Sequence, residues 1–161
     1  AYTVTDSNGC SYTSRITITE LAGIAAYPTT TDASCKGASD GTATLTLSGG
    51  TGTLTADWGT ANPAALSAGT YSFTVTDSNS CAHTNSVTIT QPLTITATPN
   101  ITNVSCFGGS DGMVAISLSG GTGTLSVSWA NGNPNALSVG TYTYTVTDTN
   151  NCSLTDSIIV N

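Results

Sequence analysis

Gly69-Thr-Tyr-Ser-Phe-Thr-Val-Thr-Asp77 returns 71 residues later as Gly140-Thr-Tyr-Thr-Tyr-Thr-Val-Thr-Asp148. Within it Tyr71, Phe73 and Val75 alternate with Ser72, Thr74 and Thr76. A period of two, carried by aromatic and β-branched residues, reads as a half-buried β-strand. Working outward, the same spacing governs the cysteines. Cys10, Cys81 and Cys152 form one series, and Cys35 and Cys106 form a second. Cys35-Lys-Gly-Ala-Ser-Asp-Gly41 is matched by Cys106-Phe-Gly-Gly-Ser-Asp-Gly112. Thr3-Val-Thr-Asp-Ser-Asn-Gly-Cys10 matches the end of a further copy. Repetition at this period is the mark of a tandem array, in which neighbours stack.

The copies divide the chain into three parts. Residues 1–20 read as the C-terminal remnant of a preceding repeat, and 21–91 and 92–161 as full repeats. Other strand signals lie at Thr42–Ser48 and Met113–Ser119, at Leu125–Trp129, at Ser86–Thr90 and at Ser157–Val160. The last repeat opens on Leu93–Thr98 and runs on through Ile101 to Ser105, which predicts an opening strand longer than its neighbours. Gly49-Gly-Thr-Gly52, Gly120-Gly-Thr-Gly123, Asp77-Ser-Asn-Ser80 and Asp148-Thr-Asn-Asn151 are turn sequences. An irregular crossing starts at Asn62-Pro63 and Asn133-Pro134. No amphipathic helix is visible. Short strands with Gly- and Asn-rich turns predict an all-β chain of tandem immunoglobulin-like β-sandwiches. Trp58 and Trp129 are the expected core anchors, and Tyr71 and Tyr142 stand where a tyrosine corner belongs.

Composition narrows the partners. The net charge is −7, with Lys36 and Arg15 the only Lys or Arg side chains. So few cations cannot neutralise a row of phosphates, so nucleic acid is not an expected partner. No stretch is apolar for long enough to cross a bilayer, so no membrane insertion is expected. Cysteines at fixed spacings that do not suit a metal suggest disulfides and an oxidising exterior.

The combined pattern Cys-x-Gly-x-Ser-Asp-Gly, Ser-Gly-Gly-Thr-Gly, Trp, then Leu-Ser-x-Gly-Thr-Tyr and Val-Thr-Asp-x-Asn-x-Cys resembles the SprB repeat family. One departure is that Thr53-Leu54 and Thr124-Leu125 stand where the family usually has Pro-Tyr. The resemblance implies surface adhesins of gliding Bacteroidetes, type IX secretion, an extracellular cell-surface location, and a role in adhesion or gliding motility. With the repeats, it leads us to expect a stalk or filament segment. Its partners would be neighbouring repeats of the same chain, surface polysaccharide or other adhesin chains. The alternatives are a carbohydrate-binding repeat module and an accessory domain of a surface hydrolase.

Cysteine pairing stays open between three schemes that respect the period. Loop entropy is similar for all of them. In an immunoglobulin-like order, Cys106 and Cys152 lie in turns at opposite ends of one sandwich. A two-residue linker, Gln91-Pro92, brings Cys35 of one repeat near Cys152 of the next. Geometry therefore favours Cys35–Cys152 between repeats. The alternatives are Cys35–Cys81 with Cys106–Cys152 inside repeats, and Cys81–Cys106 across the linker.

Catalysis needs convergent ionisable groups, and none recurs. His83 is replaced by Leu154, and Asp57 by Ser128. No enzyme activity and no catalytic residue are expected. The acids that do recur are Asp40 with Asp111, and Asp77 with Asp148. They read first as turn formers. As a weaker reading they are candidates for calcium at the junction, where cofactors are otherwise expected to be none.

Overall fold

The computed structural model describes all of residues 1–161. The chain contains twelve strands and no helix, and so no helix long and apolar enough to cross a membrane. An N-terminal hairpin joins β1 (Tyr2–Thr5) to β2 (Ser11–Ser14). A first unit follows: β3 (Ala25–Thr31), β4 (Thr42–Ser48), β5 (Thr55–Asp57), β6 (Gly69–Thr76) and β7 (Ala82–Ile89). A second unit repeats the order: β8 (Thr96–Thr102), β9 (Met113–Ser119), β10 (Ser126–Trp129), β11 (Gly140–Thr147) and β12 (Ser153–Val160).

Each unit has a two-stranded sheet, β3–β4 or β8–β9, and a three-stranded sheet, β5–β6–β7 or β10–β11–β12. All pairs are antiparallel. Five strands are fewer than the seven of a constant-type immunoglobulin domain. Pro28 and Pro99 fall inside β3 and β8, which pair on one side only, as a residue without an N–H requires.

The two sheets of a unit share one core. In the first unit Ala43 of β4 packs with Phe73, Val75, Val87 and Ile89 of the larger sheet. In the second, Val114 packs with Tyr144, Val146, Ile158 and Val160. The alternation in β6 and β11 works as read: Phe73, Val75, Tyr144 and Val146 are buried. Leu66 and Leu137 plug each core from the irregular crossing, at 2% and 1% exposure. Side chains buried this fully are typically worth about 2–5 kcal/mol on truncation to Ala.

The aromatic order differs from expectation. Trp58 and Trp129 are only half-buried, and they lie tilted against Phe73 and Tyr144 at centroid distances of 4.9 and 5.3 Å. The deepest aromatics are Phe73 and Tyr144 themselves. The tryptophans lie at or just past the ends of the short strands β5 and β10, partly buried against the core clusters. The opening strands are also not the longest. β3 and β8 have 7 residues, whereas β6, β7, β11 and β12 have 8.

Outside the core, hydroxyls replace charges as cross-strand partners. Thr70 meets Thr88 at 3.2 Å, Thr74 meets Thr84 at 3.0 Å, and Thr145 meets Thr155 at 3.0 Å. Such pairs stabilise a sheet face without long charged side chains.

Candidate functional site

The features that recur meet where the first unit ends and the second begins. One side of this junction is the turn between β11 and β12. Its Asp148 carboxylate accepts hydrogen bonds from the N–H groups of Asn150 and Cys152, both at 2.9 Å. Its other oxygen accepts from Thr122 N–H at 2.8 Å, tying this turn to the glycine turn at 120–123. Asn151 takes a left-handed conformation, φ 64°, to close it. The glycine turn packs tightly: a Cβ on Gly120, which has positive φ, would run into the Thr94 carbonyl.

Asp77 organises the matching turn of the first unit, through Asn79, Cys81 and Thr51 N–H, all at 2.9 Å. Burial pushes the Asp77 carboxyl up, but these donors together outweigh it and hold it below the usual carboxylate range. Asp6 repeats the pattern with Asn8 and Cys10.

The other side is the loop between β3 and β4. Asp40 accepts from Ser34 N–H at 2.9 Å and from the Ser34 hydroxyl. Those bonds, the hydroxyl first, hold its carboxyl below the ordinary range. Asp32 accepts from Thr90 N–H at 2.7 Å, and Ala33 N–H donates to the Thr90 carbonyl at 3.0 Å. The linker residue Gln91 accepts from Gly37 N–H at 2.7 Å. These contacts clasp the loop to the end of β7. Gly41 closes it beneath a backbone with no room for a side chain: a Cβ there would lie 2.9 Å from the Leu66 carbonyl.

Across the junction Cys35 and Cys152 form a disulfide, with Cα atoms 5.7 Å apart and a sequence separation of 117. Beside it the Asn150 side-chain amide donates to the Ser34 carbonyl at 3.1 Å. A cleft of about 260 Å³ opens next to the staple, walled by Lys36, Leu93, Ile95, Asp148 and the two cysteines. Cys10, Cys81 and Cys106 are free and exposed.

The other predicted site residues are spread out. Asp148 and Asp40 serve the two sides of the junction, while Asp77 and Asp111 serve the corresponding turn and loop at the far ends. Asp111 accepts from Ser105 N–H at 3.0 Å, and Ser105 draws its carboxyl down. The acids therefore spend their oxygens on backbone N–H groups, and no three His, Cys, Asp or Glu side chains converge. Tyr71 and Tyr142 each donate a hydroxyl to a carbonyl four residues upstream, at Ser67 (3.0 Å) and Ser138 (3.1 Å). His83 stands opposite Val75 in the β6–β7 pairing, and Asp57 caps its own turn at Gly59. Asp32 escaped the sequence reading, and Gln91 and Asn150 were read only as linker and turn residues, without their hydrogen bonds to Gly37 and Ser34. The recurring Asp-x-Asn of residues 6–8, 77–79 and 148–150 was the available signal for Asn150.

No curated protein and no solved structure matches this chain. The family model of the SprB repeat matches it twice, over residues 28–62 and 98–134. Each match runs from the opening strand of a unit, through its Cys-x-Gly-x-Ser-Asp-Gly loop, into the irregular crossing, so each unit carries one match to the SprB repeat.

Proposed function

We propose that the chain is a stalk or filament segment of a secreted bacterial cell-surface adhesin, serving adhesion or gliding motility, with its units set end to end. The observation that carries this reading is the covalent junction. A disulfide and a hydrogen bond join two units that otherwise keep separate cores. Such a junction limits bending and sliding between neighbours, as a projecting rod requires. The recurrent acids work in turns, which supports a mechanical role over turnover. The family supports a surface repeat.

Single-molecule stretching between residues 1 and 161 tests the reading. Under oxidising conditions the staple short-circuits the 117 residues it spans. Reduction, or the double change Cys35→Ser with Cys152→Ser, lengthens the fully stretched chain by roughly 400 Å, at about 3.4 Å per residue. Equal lengths in both conditions would remove the covalent junction from the mechanism.

A further inference from the structure

A second cleft, of about 640 Å³, opens at the same junction and takes its walls from both units. Asp32 and the linker residue Gln91 stand on one side, and Thr122 and Asn150 of the second unit stand on the other. The junction is internal, with a full unit on either side. The volume lies within the roughly 300–1,000 Å³ of ligand clefts.

Three side chains of this cleft carry two polar heads each, and each is pinned by one of them. Gln91 accepts from Gly37 N–H through Oε1 at 2.7 Å, which leaves its Nε2 donors unused. Asn150 donates through Nδ2 to the Ser34 carbonyl at 3.1 Å, which leaves its Oδ1 acceptor unused. The Asp32 carboxylate bonds only Thr90, so most of its roughly four acceptor sites stay open. The Thr122 N–H is spent on Asp148, whereas its hydroxyl bonds nothing in the protein. Because the pinned heads fix the open ones, these groups lose little freedom when a ligand arrives.

The open groups are thus a carboxylate, an amide N–H, an amide carbonyl and a hydroxyl. The one charge among them is negative, and Lys36 lines the other cleft, so an anionic ligand meets no counter-charge here. A divalent cation finds too few acids, since no three His, Cys, Asp or Glu side chains converge. Peptide side chains find no apolar pocket, because Ala33 and Pro92 are the apolar residues of the wall. A ligand that suits the cleft is uncharged, and each of its groups both donates and accepts. Neighbouring hydroxyls of a sugar ring have that chemistry, and Gly121 and Gly123 leave the wall open for a ring to approach.

We propose that this polar cleft is a binding site for a neutral polysaccharide. Asp32 accepts from one sugar hydroxyl and Gln91 donates to another, while Asn150 and Thr122 hold the same chain from the second unit. The ligand bridges two units, so the site exists only where they are joined. The inference rests on the stapled junction of the rod reading, and it gives that rod a lateral grip.

The test is an NMR titration of the isotope-labelled full chain with cellohexaose, mannohexaose and galactohexaose, and with hexagalacturonate as the charged counterpart. EDTA is present, so no metal ion bridges sugar and protein. At least one neutral sugar is expected to give saturable shifts at the Gly37, Thr90, Thr122 and Asn150 amides and at the Gln91 side chain. Hexagalacturonate is expected to shift none of them. Two substitutions keep the pinned head and change the open one: Gln91→Glu exchanges the donor for an acceptor, and Asp32→Asn removes the charge. Each is expected to weaken binding by about fivefold or more, whereas Asp57→Asn, in a turn of its own, leaves it unchanged. The inference is overturned by the absence of saturable shifts with every neutral sugar, or by equal binding of hexagalacturonate. Shifts spread over the hydroxyl pairs of Thr70, Thr84 and Thr88 in place of the cleft overturn it too. The Cys35–Cys152 peptide is mapped in the same sample. An intact staple without sugar binding overturns the site alone, whereas a missing staple overturns the rod reading.

Discussion

The loops at residues 33–41 and 104–112 are one motif in two situations. In the first, Ala33 is buried and Ser34 and Cys35 are half-buried. In the second, Val104 is half-buried and Ser105 and Cys106 are exposed. Yet three internal bonds made by the backbone are the same: the acid on the serine N–H, the turn at the cysteine carbonyl, and the glycine against the crossing; the serine hydroxyl differs, bonding Asp40 in the first loop and Cys106 Sγ in the second. The partner therefore covers the loop without shaping it. A loop already in its docked form loses little conformational freedom when a neighbour arrives, which favours tight junctions.

The largest test of this comparison removes the staple. Cys35→Ser with Cys152→Ser is expected to lower stability by about 5 kcal/mol on the chain-entropy view of a loop this long. In denaturant titrations the loss should appear without change in the strand content of either unit. Hydrogen exchange should then make residues 33–41 as accessible as residues 104–112. Loss of the internal loop bonds as well would mean that the neighbour shapes the loop after all.

A somewhat smaller effect, about 3 kcal/mol, is expected from Leu66→Ala and from Leu137→Ala. Each leucine exchanges backbone hydrogen bonds with the glycine that ends its loop, Leu66 with Gly41 and Leu137 with Gly112, at 2.8 and 2.9 Å. Similar losses in the two units, read by thermal melts of each variant, sharpen the view that every loop is anchored from within its own unit. A much larger loss at Leu66 would assign that anchoring to the junction.

The smallest effect separates the loops by acid. Asp32 holds Thr90 N–H, and its carboxyl is drawn below the ordinary range by that bond. Its counterpart is Asn103, which holds Asn161 N–H at 2.9 Å and does not titrate. A depressed carboxyl contributes stability above its unfolded pKa and loses it as pH falls through the folded value. Below about pH 4 the first loop should therefore loosen more than the second. NMR shifts of Thr90 and Asn161 amides across an acid titration would show it, and Asp32→Asn should equalise them.

Most of the strand plan was legible because alternation and turn chemistry are local. Phe73, Val75, Tyr144 and Val146 announced their face, and Asp77 and Asp148 announced their turns. What was not legible depended on depth or on distance along the chain. Ala82–Asn85 carries little apolar signal of its own, yet it pairs with Phe73–Thr76 of β6, and hydroxyl pairs such as Thr74–Thr84 help to hold it there. Leu66 and Leu137 sit in irregular backbone, where a lone leucine has no period to reveal it. The tryptophans were placed by ring size, but their position on short strands fixed their depth. Cysteine partners lie 117 residues apart, and loop entropy barely distinguishes one pairing from another.

The Cys35–Cys152 bond also makes a ring of most of the polypeptide. A protease that nicks any one peptide bond between those two residues leaves the N- and C-terminal ends covalently attached. On a surface exposed to hydrolytic enzymes, a single cut then opens a gap in the strand without releasing what lies beyond it.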